Sequence, residues 1–75
     1  MLIPIDDLNA EEQDKCRQKG WIALDPKDGR NLKRSKDDFG PGRARKYFLS
    51  IPNKMLIVIW AKSDTEAIES VNQRG

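Results

Sequence analysis

The chain has no histidine and only one cysteine among its 75 residues. Without histidine it lacks the side chain that most often serves as a general base near neutral pH. The lone thiol, Cys16, cannot close a disulfide within the chain, which fits a reducing compartment. The same shortage removes the soft ligand sets of zinc and related metals and leaves only carboxylates. No metal and no cofactor are therefore expected. Long apolar runs are also missing. The longest, Met55–Ala61, has seven residues, whereas a helix across a bilayer needs roughly 20. The start Met1-Leu2-Ile3-Pro4-Ile5 has no basic lead-in and runs into Asp6-Asp7, unlike a signal peptide. These absences predict a soluble, cytoplasmic protein with no membrane partner.

What the chain does have is positive charge in one place. Residues Lys27–Lys46 hold eight basic side chains against three acids, a net +5, while the whole chain is only +2. The N-terminal twenty residues are net −2, with five acids and three bases. The basic segment is nearly free of aliphatic residues and is broken by Gly-Pro-Gly at 40–42. A length of 75 residues fits one domain, 1–75, near the lower limit for a self-sufficient core.

Four pieces of regular structure are legible. A helix is predicted near Ala10–Lys19, with Asn9 as N-cap, Glu12 three residues on, and Gly20 as a stop. Its acids lie toward its N-terminus and its bases toward its C-terminus, as the helix dipole favours. Its apolar content is poor, so caps and charge are expected to hold it more than burial does. Trp21–Asp25 reads as a short strand, ended by the turn signal Pro26 to Gly29. A return strand over Arg30–Ser35 would have Leu32 as its one apolar residue. The strands Lys46–Ile51 and Met55–Ala61 are rich in β-branched and aromatic residues. Pro52 cannot enter a primed two-residue turn, so a loop of three or more residues is expected between them. Finally, Ser63-Asp64-Thr65-Glu66 is a capping box that opens a helix over about Asp64–Gln73, with Ala67, Ile68 and Val71 as its apolar stripe.

The fold class expected is α+β. An N-terminal helix precedes a three- or four-stranded antiparallel sheet, and the C-terminal helix packs on that sheet. The stretch Ala61–Val71 is similar to the strand-to-helix junction of several small domains, including phage inhibitors of host transcription and arm-type DNA-binding domains of integrases. The similarity spans eleven residues through a generic cap, and no family is assigned from it.

One strand is apolar on both faces: Met55, Ile57 and Ile59 on one, Leu56, Val58 and Trp60 on the other. A sheet with one wet face alternates polar and apolar residues. In so small a domain the C-terminal helix covers only one face. The other needs the Met1–Ile5 segment, the N-terminal helix or a second molecule, and a homodimer through Met55–Ala61 is one such cover.

Enzyme readings are weak. The dipeptides Asp6-Asp7, Glu11-Glu12 and Asp37-Asp38 point their neighbours in different directions, as solvated surface does. Cys16 reads as a small core residue, although Arg17 and Lys19 could lower a thiol pKa. Gly40-Pro41-Gly42-Arg43 lacks the strand, helix and lysine of a phosphate loop. The expected function is non-enzymatic binding of nucleic acid through Arg30, Lys33, Arg34, Lys36, Arg43, Arg45 and Lys46. Such cations neutralise phosphates and release counterions. Tyr47, Phe48 or Trp21 could stack on bases if exposed. The same residues could instead meet an acidic protein surface. That alternative describes a small inhibitor or adaptor bound to a host protein, like compact accessory proteins of phages and mobile elements. The bland reading is a solvated loop that maintains solubility.

Overall fold

The computed structural model describes residues 1–74. They form an antiparallel meander of five strands flanked by two helices. The elements run β1 (Ile3–Pro4), a 3-10 turn (Ile5–Asp7), α1 (Ala10–Lys19), β2 (Trp21–Leu24), β3 (Asn31–Arg34), β4 (Arg45–Ile51), β5 (Met55–Ala61) and α2 (Asp64–Gln73). The strands lie in the order β1-β2-β3-β4-β5, all neighbours antiparallel. The sheet has one strand more than the expected three or four. The addition is β1, two residues long, with Ile3 opposite Leu24 and Pro4 opposite Ala23. Proline cannot donate to a ladder and so sits at a sheet edge, as it does here.

The caps form as the sequence predicts, with one change. The Asn9 side chain accepts from the Glu12 N–H at 2.9 Å. Gly20 ends α1 in the left-handed region, φ 75°. The Ser63 hydroxyl accepts from the Glu66 N–H at 3.1 Å. The Glu66 carboxylate, however, accepts from the Lys62 N–H, one residue earlier than the reciprocal bond expected. Three residues connect β4 to β5, and Asn53 takes the positive φ, 59°.

Cross-strand pairs assign each side chain to a face. Ala23, Leu32, Leu49 and Ile57 share one face, where α2 packs with Ala67, Ile68 and Val71 buried. A register shift between Trp21 and Ala23 interrupts the ladder. Its effect is that Ile22 and Ala23 both join the α2-side core, while Trp21 and Leu24 join the other side. A bulge re-aims side chains in just this way. The second core is small: Leu8, Cys16 and Leu24, with Ile3, Ile5 and Trp21 against them. It docks α1, whose one inward residue, Cys16, is fully buried. Burial pushes the Cys16 thiol pKa up, with Glu12 adding to the rise, so its reactive thiolate is suppressed.

Polar groups close the remaining seams. The Asn72 amide accepts from the Leu2 N–H at 2.8 Å and donates to the Leu2 carbonyl at 3.1 Å. It takes the place of a neighbouring strand and ties the N-terminal segment to α2. The Tyr47 hydroxyl donates to Asp64 at 2.7 Å, joining β4 to the first turn of α2.

Asp25 is the polar hub of the β2–β3 turn. Its side chain accepts from the N–H groups of Lys27 and Asp28, from the Arg30 guanidinium at 2.8 Å, and from the Met1 amino group at 3.0 Å. Burial alone would raise its pKa. The bonds from Arg30, the amino group and Asp28 outweigh burial and hold the carboxyl well below the ordinary range.

Candidate binding surface

The sheet has two unlike faces. α2 covers one of them, and α1 covers only the β1–β2 end of the other. Over β3, β4 and β5 that second face is open. Its exposed apolar residues are Leu56 (63%), Val58 (47%) and Trp60 (55%); Met55, also exposed, alternates to the other face at the strand end. These are the outward residues of the strand that is apolar on both sides. Neither helix covers them.

The register builds this face in rows. One row crosses the sheet as Trp21, Lys33, Phe48 and Val58. Beside it Lys46 stands opposite Trp60, and on the other side Asn31, Ser50 and Leu56 align. The Lys46 ammonium lies 5.6 Å from the Trp60 ring centroid, and that of Lys19 lies 4.8 Å from Trp21. Both fall within cation–π range. Phe39, from the β3–β4 connection, stacks against Trp60 with centroids 6.4 Å apart. Phe39 is itself 53% exposed. The face thus mixes aromatic rings with lysines and has aliphatic residues along its β5 edge.

The seven basic residues expected to act together are split by the fold. Lys33 and Lys46 lie on the open face. Arg34 and Arg45 alternate to the α2 side, where Arg34 meets Asp64 at 3.6 Å and Arg45 meets Asp38 at 3.7 Å. Arg30 is turned inward onto Asp25. Lys36 and Arg43 are exposed on the β3–β4 connection. Among the described residues Lys33, Lys36, Arg43 and Lys46 form no ion pair within 4.0 Å, whereas Arg30, Arg34 and Arg45 each have a carboxylate partner.

The aromatic candidates divide as well. Tyr47 is buried, and its pKa is pushed up to about 12 by burial and by the bond to Asp64. It is a fixed hydrogen-bond donor, closed to stacking. Phe48 and Trp21 are half-buried on the open face. Phe39 and Trp60 were not among the stacking candidates. Phe39 is the one aromatic in a polar connection, and Trp60 is the bulkiest outward residue of β5. Those signals were present, but which face stays bare is a tertiary fact.

Two concavities lie away from this face. A groove of about 770 Å³ runs between the N-terminal segment, α1 and α2. Asp6, Asp7, Asp64 and Glu69 outnumber Arg17 and Arg34 along it, so it does not suit a polyanion. A smaller one of about 290 Å³ sits beside Gly40–Gly42, lined by Arg43, Arg45 and Lys62 together with Asp38 and Asp64. The carboxylates already engage Arg45 and Arg34. Among the described residues no cluster of three or more potential metal ligands occurs, and no helix is long and apolar enough to cross a membrane.

Comparison with known protein families, curated proteins and solved structures finds no match to this chain.

Exposure of the β5 side chains has a direct consequence. Val58→Thr and Leu56→Gln are expected to change stability by no more than about 0.5 kcal/mol, the range for open surface sites. Urea denaturation of each variant at low protein concentration checks this. A loss above about 2 kcal/mol would mean that the face is covered in solution.

Proposed function

We propose that this protein is a non-enzymatic binding protein, acting in the cytoplasm, that holds nucleic acid on its open sheet face. The observation that carries this reading is the juxtaposition of unpaired lysines with exposed aromatic rings. Lys33 and Lys46 stand in the same rows as Trp21, Phe48 and Trp60, and Lys36 and Arg43 are exposed on the β3–β4 connection. Cations neutralise phosphates, and rings stack on bases without demanding a particular one. The seven-residue basic site thereby narrows to Lys33, Lys36, Arg43 and Lys46, with Lys19 added from α1. Arg30, Arg34 and Arg45 serve mainly as internal ties.

Fluorescence anisotropy with labelled oligonucleotides at several salt concentrations tests the reading. Five phosphate contacts predict a log–log salt slope of roughly −3.5 for a single strand and −4.5 for a duplex. Lys33→Glu with Lys46→Glu should weaken binding at least tenfold. A chain that binds neither DNA nor RNA at low salt is not a nucleic-acid-binding protein.

A second reading has its own observation. Met55, Leu56 and Val58 are aliphatic and exposed on an unpaired edge strand, a surface that commonly joins another protein. On this reading the chain is a small inhibitor or adaptor of a host protein, of the kind phages and mobile elements encode, or a homodimer through β5. Sedimentation at high concentration addresses the dimer, since a monomer there rules it out.

A further inference from the structure

We infer that Phe39 and Trp60 form a clamp that takes one unpaired base between their rings, so that the face prefers single strands to duplex. This rests on the nucleic-acid reading above and adds to it a ligand class and two residues. Among the chain's five aromatic residues, these are the two whose rings are more than half exposed. Their centroids lie 6.4 Å apart with planes 30° from parallel. Stacked aromatic pairs span about 4.5–7 Å, so this pair sits near the wide end. A base held between two rings needs two gaps of about 3.5 Å, roughly 7 Å in all. The two rings now lie against each other, so a base enters by displacing Phe39 from Trp60 until that gap opens, with a turn of 30° to bring the planes parallel.

The two walls differ in stiffness. Trp60 is held by the β4–β5 ladder opposite Lys46. Phe39 precedes Gly40, with φ 105°, and Gly42, with φ 75°. Those dihedrals are open to glycine at no steric cost, and this wall lies outside the strand ladder, tied by the bond from the Gly40 N–H to Asp38 at 3.0 Å. Cations outnumber acids around the clamp, although Asp37 and Asp38 directly precede Phe39, Asp38 being paired with Arg45. Lys46 lies against Trp60, and Lys36 and Arg43 flank Phe39 in the same connection, each without a carboxylate partner among the described residues. Bases in a duplex are already stacked on both sides and present only their edges. An unpaired base offers a whole face to a ring.

The test is anisotropy with two probes at low salt: an oligothymidine of about 12 nucleotides, within the site size of single-strand binders, and a hairpin duplex of the same length closed by a non-nucleotide linker, so that it holds no unpaired base. Wild-type protein is compared with Phe39→Ala, Trp60→Ala and Trp60→Phe. Both side chains are exposed, so the substitutions leave the fold in place. The single strand should bind more tightly than the hairpin. Each alanine variant should weaken single-strand binding roughly 5- to 150-fold and leave hairpin binding unchanged, whereas Trp60→Phe should keep most of the single-strand affinity lost in Trp60→Ala. Equal binding of both probes, unmoved by the alanine variants, overturns the clamp and leaves the nucleic-acid reading standing. Binding of neither probe removes both. A dimer in sedimentation that Trp60→Ala disperses assigns the rings to a protein interface and also overturns the clamp.

Discussion

Asp25→Ala is expected to destabilise the fold by about 3–5 kcal/mol, the usual loss when one partner of a buried ion pair is removed. Asp25 is 1% exposed, and it satisfies two backbone N–H groups of its turn in addition to Arg30. Removing it leaves the Arg30 guanidinium, 15% exposed, without its charge partner. It also frees the turn that sets the β2–β3 register. A 75-residue domain has roughly 4–11 kcal/mol of stability in total, so this one change should leave a large unfolded fraction. The pH dependence has a definite sign. The folded pKa of Asp25 is lowered, and an unfolded carboxylate titrates near about 3.9. Its contribution is therefore complete above that value and is lost as pH falls below it. Urea midpoints at about pH 7 and about pH 2.5 should differ less in Asp25→Asn than in the parent protein. An Asp25→Ala variant as stable as the parent would show that Arg30 and the turn do not depend on this carboxylate.

Leu32→Ala should cost about 2–5 kcal/mol. Leu32 is fully buried and is the one apolar residue of β3. It stands between Ala23 and Leu49 in the middle of the sheet. Both neighbours are held by their own ladders, so the cavity cannot collapse cheaply. Leu32→Met should cost under about 1.5 kcal/mol, because volume is nearly kept. Equal losses in the two variants would mean that cavity volume is not what matters there.

The sequence was most legible where chemistry is local. Asn9, Gly20, Ser63 and Glu66 mark helix ends because capping involves groups three or four residues apart. Ala67, Ile68 and Val71 face the sheet as their spacing predicts. The three-residue β4–β5 loop follows from the fixed φ of Pro52. Less legible was β1, since two residues have no periodicity of their own. It forms by pairing with Leu24 and Ala23 of β2, and Asn72, 70 positions away, bonds to both backbone groups of the adjoining Leu2. The inward turn of Arg30 was hidden for a like reason. It depends on Asp25 being buried by the N-terminal segment.

The candidate site divides along the same line. Sequence by itself determined that a basic segment adjoins a strand apolar on both faces, because composition and period-two patterning are properties of the chain alone. It also determined which helix side is apolar and where each helix stops. Only the tertiary structure decided which cations remain unpaired, because pairing partners such as Asp64 for Arg34 come from distant elements. Only it decided that α1 stops short of β4 and β5. Docking there is governed by Cys16, Leu8 and Leu24, a contact too small to extend across the sheet. Leu56, Val58 and Trp60 stay free of helix for that reason, and Phe39 of the β3–β4 connection meets Trp60 there.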